Sequence, residues 1–187
     1  MPQSSTYLGL DIGTSSVKAL LIDADQKVVA EASPSLSVSR PHPLWSEQNP
    51  DDWPRGVDEG VAAIRKQVPE KFAGLAGVGL SGQMHGATLL DSADKPLRPA
   101  ILWNDGRSFA ECAELKRRVP DVETITGNLV MPGFTAPKML WVEKHEPEVA
   151  KKTKRVLLPK DYVRLRLSGE AVSDMSDAAG TSWLDVG

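Results

Sequence analysis

The sequence is poor in cysteine and histidine, has no basic excess and lacks long apolar runs. Each shortage removes a class of explanation. Cys112 is the single cysteine among 187 residues, so an internal disulfide framework and a multi-cysteine metal site are both excluded. The three histidines, His42, His85 and His145, stand far apart, without the ligand spacing of a zinc site. Lys and Arg number 22 against 25 Asp and Glu, a net charge of −3. That balance argues against non-specific binding to nucleic acid or to an anionic membrane. No window approaches the roughly 18 apolar residues of a membrane span. The opening residues MPQSST carry no basic segment followed by an apolar stretch, as an export leader does. The expectation is a folded cytoplasmic protein with neither nucleic acid nor membrane as partner.

Several phosphate and nucleophile motifs are also missing. There is no G-x-x-x-x-G-K-[ST], and Gly9 and Gly13 do not make a G-x-G-x-x-G. Gly79–Gln83 misses the nucleophile elbow G-x-S-x-G at its last position.

What is present has ordinary globular composition, 41% hydrophobic and 25% charged. The length suits one domain, or one domain with part of a second. Tyr7–Ile12, Val17–Asp23 and Lys27–Ala32 read as strands joined by very short turns. Such strands can only be antiparallel neighbours, because a parallel pair needs a crossover of about a dozen residues. A proline-rich loop over 33–50 follows, with a short strand at Leu36–Val38. Its Trp45, Glu47 and Gln48 read as a surface loop pinned by one buried tryptophan. Asn49 as N-cap and Pro50 at the first helical position open a helix. Trp53, Val57, Val61, Ile64 and Val68 line one face of it, and Pro69 ends it. Leu75–Leu80 reads as a buried strand, with further strands at Ala87–Asp91 and Ala100–Trp103. A helix over 107–119 places Phe109, Cys112, Leu115 and Val119 on one side. Another spans Thr135–His145, and elements at Val156–Leu158 and 161–167 close the series. Three strands followed by alternating helix and strand indicate an α/β domain with a mixed sheet flanked by helices.

Three segments carry polar chemistry at strand ends. In Asp11–Ser16, Gly13 permits a tight turn and close approach of a ligand to backbone. Thr14, Ser15 and Ser16 add hydroxyls beside turn amides, a concavity suited to phosphate. Asp11 can hold hydrated Mg²⁺ alongside phosphate oxygens. Lys18 adds positive charge, although strand alternation can point it away. An ordinary hairpin with a polar tip fits the same residues. In Ser81–Gly86, Gln83 and His85 can hydrogen-bond hydroxyls and Met84 offers an adaptable apolar wall. His85 equally reads as a turn histidine. In Trp103–Arg107, Asp105 reads either as a ligand group or as the cap of the next helix.

Taken together these segments resemble the FGGY family of carbohydrate kinases. The residues that carry the likeness are Tyr7–Lys18 (YLGLDIGTSSVK), Arg40–Gln48 (RPHPLWSEQ), Ser81–Gly86 (SGQMHG) and Pro99–Arg107 (PAILWNDGR). Thr126–Asn128, Pro132–Lys138, Leu157–Asp161 and Ser173–Thr181 add to it. The resemblance implies a ribonuclease-H-like, actin-like ATPase fold with two domains around a cleft. It implies ATP-dependent phosphorylation of D-xylulose at its terminal hydroxyl, with ATP and Mg²⁺ as cofactors, the sugar as small-molecule partner and room for a homodimer. Gln-Met-His-Gly beside Trp-Asn-Asp-Gly-Arg favours xylulose over glycerol or gluconate. Other family sugars such as ribulose or gluconate, and a non-catalytic actin-like nucleotide-binding module, are the competing expectations. By motif, Asp11 assists metal and phosphate positioning, and Gly13, Thr14, Ser15 and Lys18 face the ATP phosphates. Gln83, Met84 and His85 contact the sugar, with Trp103, Asn104, Asp105 and Arg107 beside it.

In the family the general base is an aspartate in a Gly-Asp-Asn-like segment that this chain does not contain. Asp174 and Asp177 are not in that motif. Thr181–Gly187 reads as a strand or bend cut short. Residues 1–187 are therefore expected to be an incomplete N-terminal kinase domain, inactive alone.

Overall fold

The structure, a computed structural model, describes residues 5–187; Met1–Ser4, the start of the segment read above as carrying no leader, lie outside them. In chain order the elements are β1 (Thr6–Ile12), β2 (Val17–Asp23), β3 (Val28–Ala32), β4 (Glu47–Gln48), α1 (Asp52–Gln67), α2 (Pro69–Phe72), β5 (Leu75–Gly82), β6 (Thr88–Leu90) and β7 (Ala100–Ile101). They continue with α3 (Phe109–Arg118), α4 (Val122–Thr126), α5 (Thr135–His145), α6 (Pro147–Lys152), β8 (Arg155–Leu157), α7 (Pro159–Ser168) and α8 (Met175–Ala178). The chain divides into two compact units, residues 5–37 with 51–83 and residues 38–50 with 84–187.

The first unit is a four-stranded sheet in the order β3-β2-β1-β5. β1, β2 and β3 form the expected antiparallel meander, and β5 joins β1 in parallel after the α1 crossover. Alternation along β1 buries Thr6, Leu8, Leu10 and Ile12 and exposes Tyr7, Gly9 and Asp11. α1 lies on β2 and β3 and buries Trp53, Gly56, Val57, Gly60 and Ile64. Its approach depends on a glycine: a Cβ at Gly56 would stand 2.8 Å from Val17 Cγ2. The helix begins at Asp52, so Pro50 precedes it and Pro54 occupies the first turn, where a missing N–H leaves no bond unmade. Pro69 does end α1, and it opens α2 at the same time. β5 is not the buried strand expected: among the described residues it pairs with β1 alone, and Val78 is 53% exposed. Leu36–Val38 forms no strand; Ser35 and Ser39 make isolated bridges instead.

The second unit has two short antiparallel ribbons, β4 with β7 and β6 with β8. The later strands therefore do not extend the main sheet as simple alternation suggests. Its core gathers Ala87, Leu89, Ile101, Trp141 and Val142, against which Trp45, Met139 and Val156 pack. α5 has the predicted bounds. α3 turns Cys112 inward onto Val122 and Val130, while Phe109, expected on the same side, is 76% exposed. Ser46, Glu47 and Gln48 are buried, so the segment read as a surface loop is an interior ribbon. The reason is charge pairing, described below.

Candidate functional site

In the first unit the β1–β2 connection is a tight turn: the Gly13 N–H donates to Ser16 O at 3.0 Å. A Cβ at residue 13 would stand 2.9 Å from that oxygen, so glycine is required there. Thr14 and Ser15 form the tip. Gln83, at the end of β5, braces it from beneath. Its backbone N–H donates to Ile12 O at 2.8 Å and its Nε2 to Gly13 O at 3.2 Å. Thr14 Oγ1 donates to Gln83 Oε1 at 3.1 Å. Gln83 was expected to bind substrate; its carboxamide is buried and bonded to the turn at both ends, so it shapes the turn. Asp11 is exposed on β1. Lys18 is its direct cross-strand partner, and directly opposed residues share a face, so alternation does not turn the lysine away. The Lys18 ammonium sits 3.4 Å from Glu31 on an exposed surface, an ion pair of small worth.

The remaining predicted residues lie in the second unit. Met84 is 43% exposed. The Gly86 N–H donates to Met84 O at 2.7 Å, and His85 between them has φ +62°. An i to i+2 bond around a residue of positive φ is the rare, strained form of γ-turn. Its ring stands 4.5 Å from Phe134. Gly180 passes so close that a Cβ there would overlap the imidazole. Burial first, and the Lys138 charge second, push the His85 imidazole down to about 4, with a backbone bond at Gly180 opposing them. At neutral pH the ring is uncharged; Nδ1 is buried beside Gly180, so at most the other ring nitrogen is open to a hydroxyl.

Trp103 is 43% exposed and Asn104 is exposed. Asn104 lines an open cavity of about 530 Å³ with residues 40–46. Asp105 and Arg107 face inward. Arg107 donates to Asp105 from its backbone N–H, Nε and Nη2 at 2.8–2.9 Å, and Ser46 N donates to Asp105 Oδ2 at 2.6 Å. Arg107 Nη2 also reaches Glu47 at 2.7 Å, and Arg98 pairs with Glu47 at 2.5 Å and Glu146 at 2.9 Å. The guanidinium lies 3.7 Å from the Trp45 ring centroid and 4.9 Å from that of Trp141. The Arg107 side chain has no exposed surface. These two residues were expected against substrate, yet every strong donor and acceptor they hold is turned to the interior. Asp105 is not the cap of α3 either; that position is Ser108.

Sequence reasoning passed over Lys138. It is fully buried on α5 and donates to His85 O at 2.8 Å. Burial pushes its ammonium down to about 7, with Asp105 working upward and Arg107 further down. The signal was available: Lys138, Trp141 and Val142 fall at i, i+3 and i+4, a lysine within an apolar helical stripe. Lys160, also buried, gathers Asp161 at 2.8 Å, Asp174 at 3.0 Å and Asp177 at 2.7 Å. Desolvation alone would lower its pKa, and the three carboxylates outweigh it and hold the ammonium above its ordinary range. Asp174 and Asp177 are thus ion-paired.

Comparison with known proteins adds to this geometry. The sequence profile of the FGGY family of carbohydrate kinases, N-terminal domain, matches residues 6–187. The xylulose kinase of Escherichia coli (strain K12) is 57% identical over 180 residues, covering 96% of this chain and 37% of that protein. That of Klebsiella pneumoniae is 56% identical, with the same coverage. The crystal structure of a xyloylose kinase from Brucella ovis superposes with a TM-score of 0.95 at 58% identity, over 97% of this chain and 37% of that one. The chain thus spans a little over a third of the length of these relatives. The expected fold, a mixed sheet with flanking helices of the actin-like ATPase type, is the one found.

Proposed function

The chain belongs to the FGGY family of carbohydrate kinases, and from that premise we propose that it is the N-terminal portion of an ATP-dependent kinase for D-xylulose. The product is D-xylulose 5-phosphate, with ADP released. The observation that carries the reading is 57% identity to a xylulose kinase across 180 residues. Those residues include the strained turn that presents Met84 and the uncharged His85.

In this reading the two units divide the work. The Gly13–Ser16 turn, braced by Gln83, receives the ATP phosphates, and Lys18 adds positive charge on the same face as Asp11. Magnesium fits Asp11. Among the described residues no group of three or more His, Cys, Asp or Glu could hold a metal unaided. Asp11 would hold the cation, and the rest of its oxygen ligands would come from phosphate and water, which is how magnesium accompanies nucleotides. When bound, it neutralises charge on the phosphoryl group in transfer. Met84 packs on the carbon skeleton of the ketose, and the His85 imidazole hydrogen-bonds its hydroxyls. Asp105 and Arg107 act at one remove, by holding the Trp103–Asn104 segment. The base that takes the proton of the attacking hydroxyl is assigned to no residue of this chain, because the family's Gly-Asp-Asn-like segment is not in it; Asp174 and Asp177 lie outside that motif and are bound to Lys160. The 187 residues alone are therefore inactive.

The test is a substrate panel on the full-length protein, following ADP release with D-xylulose, D-ribulose, gluconate and glycerol. D-xylulose should give the highest kcat/KM. A higher value for another sugar overturns the substrate assignment. Xylulose-dependent ADP release by the 187 residues alone overturns the reading that they are inactive without the rest of the protein.

A further inference from the structure

Lys138 has no task in the reaction just described, yet it is a lysine buried beyond any solvent contact. Burying an ammonium is unfavourable unless the group meets strong partners. The partner in reach of its Nζ is the carbonyl oxygen of His85, at 2.8 Å. Thr135, three residues earlier on the first turn of α5, donates its Oγ1 to the same oxygen at 3.1 Å. Residues at i and i+3 lie on one helical face, so a single face of α5 presents two donors to one carbonyl.

That carbonyl belongs to the residue that is strained. His85 sits at φ +62° inside the Met84–Gly86 γ-turn, a conformation that persists only where its surroundings over-determine it. Strain of this kind is relieved unless something holds the peptide that follows the strained residue, and the His85 carbonyl is part of that peptide. The ring is confined as well, by Phe134 at 4.5 Å and by the backbone of Gly180. Phe134, Thr135 and Lys138 are sequence neighbours, so one stretch of chain clasps both the carbonyl and the ring.

We propose that Lys138, with Thr135, is a positioning residue: it locks the His85 γ-turn through the His85 carbonyl and thereby sets the direction of the imidazole toward the ketose. The proposal rests on the reading of His85 as a sugar contact. Lys138 touches no reacting atom in this scheme; it acts through the turn.

The test uses Lys138→Met, which keeps the aliphatic stem and removes the donors, and Thr135→Val, which removes one donor without changing charge. In the full-length kinase, Lys138→Met should raise KM for D-xylulose by about tenfold or more, with KM for ATP changed by less than about twofold. Thr135→Val should shift the ketose KM in the same direction by a smaller factor, and decides the matter if Lys138→Met does not fold. A crystal structure of either folded variant should show His85 out of the left-handed region. The proposal is overturned if ketose KM is unmoved, if the two KM values rise together, or if His85 keeps its positive φ. Because the conformation of His85 is read without any sugar, failure of the xylulose assignment and failure of the lock are separate results.

Discussion

Replacing Lys138 should remove one limb of the pH–stability profile. The ammonium has an ordinary pKa of 10.5 and is pushed down to about 7 in the fold. Below pH 7 the group is charged whether folded or unfolded, and the fold carries the whole cost of a buried cation. Between the two values the folded chain is already neutral while the unfolded chain still binds the proton. Unfolding then takes up a proton, so stability rises with pH, by about 1.4 kcal/mol per pH unit at the steepest. From about pH 7.5 to about pH 9 the gain works out at about 2 kcal/mol. The window is chosen to isolate this group. His85, pushed down to about 4, contributes a rise only between there and its ordinary 6.5. Lys160, held above its ordinary range, loses its contribution only above 10.5. The Cys112 thiol, raised first by burial, works in the opposite sense above its ordinary 9.0, which sets the upper limit. Urea unfolding of wild type and Lys138→Met across the window is the assay. The wild type should gain stability with pH and the variant should stay level. A wild-type profile that is flat, or a variant with the same slope, refutes the argument.

Arg107→Met should cost about 3–5 kcal/mol by urea unfolding, because it strips the partner from buried Asp105 and from one side of Glu47; a loss below about 1 kcal/mol would mean the cluster contributes no more than a surface pair. Gly56→Ala should destabilise by about 1–3 kcal/mol in the same assay, since the new methyl meets Val17 at 2.8 Å; an unchanged midpoint would mean α1 can shift freely. Asp11→Asn, on an exposed position, should change stability by less than about 0.5 kcal/mol. In the full-length protein it should lower kcat by roughly a hundredfold, equivalent to about 2.7 kcal/mol of transition-state stabilisation, with the ketose KM little altered. A rise in ketose KM with kcat intact would place Asp11 at the sugar instead.

The parts legible in the sequence are those set by neighbours along the chain. The meander follows from connections too short for anything but antiparallel pairing, and the bounds of α5 from local pattern. The turn at Gly13 follows from a residue with no Cβ before a run of hydroxyls. The family likeness was equally legible, since it rests on short runs read in order. Sequence pattern also marked Met84 and His85 as a unit, though not the strained turn that joins them.

The partners of Asp105 and Arg107 come from Ser46 and Glu47, some 60 residues earlier, and the rings that pack against the guanidinium are Trp45 and Trp141. Nothing in the run Trp103–Arg107 says that its charges turn inward, because burial depends on what the rest of the chain places against them. β5 has the composition of a central strand and is an edge, because strand order is a property of the whole sheet. Gln83 stands next to Met84 in sequence but belongs to the Gly13 turn, and Lys138 belongs to the carbonyl of His85. Sequence alone determined the family, because the short ordered runs that carry the likeness suffice for that. Only the tertiary structure decided which charged groups remain available to a ligand and which serve to hold others, because a buried ion satisfied by distant partners cannot be told from a solvated one by its neighbours in the chain.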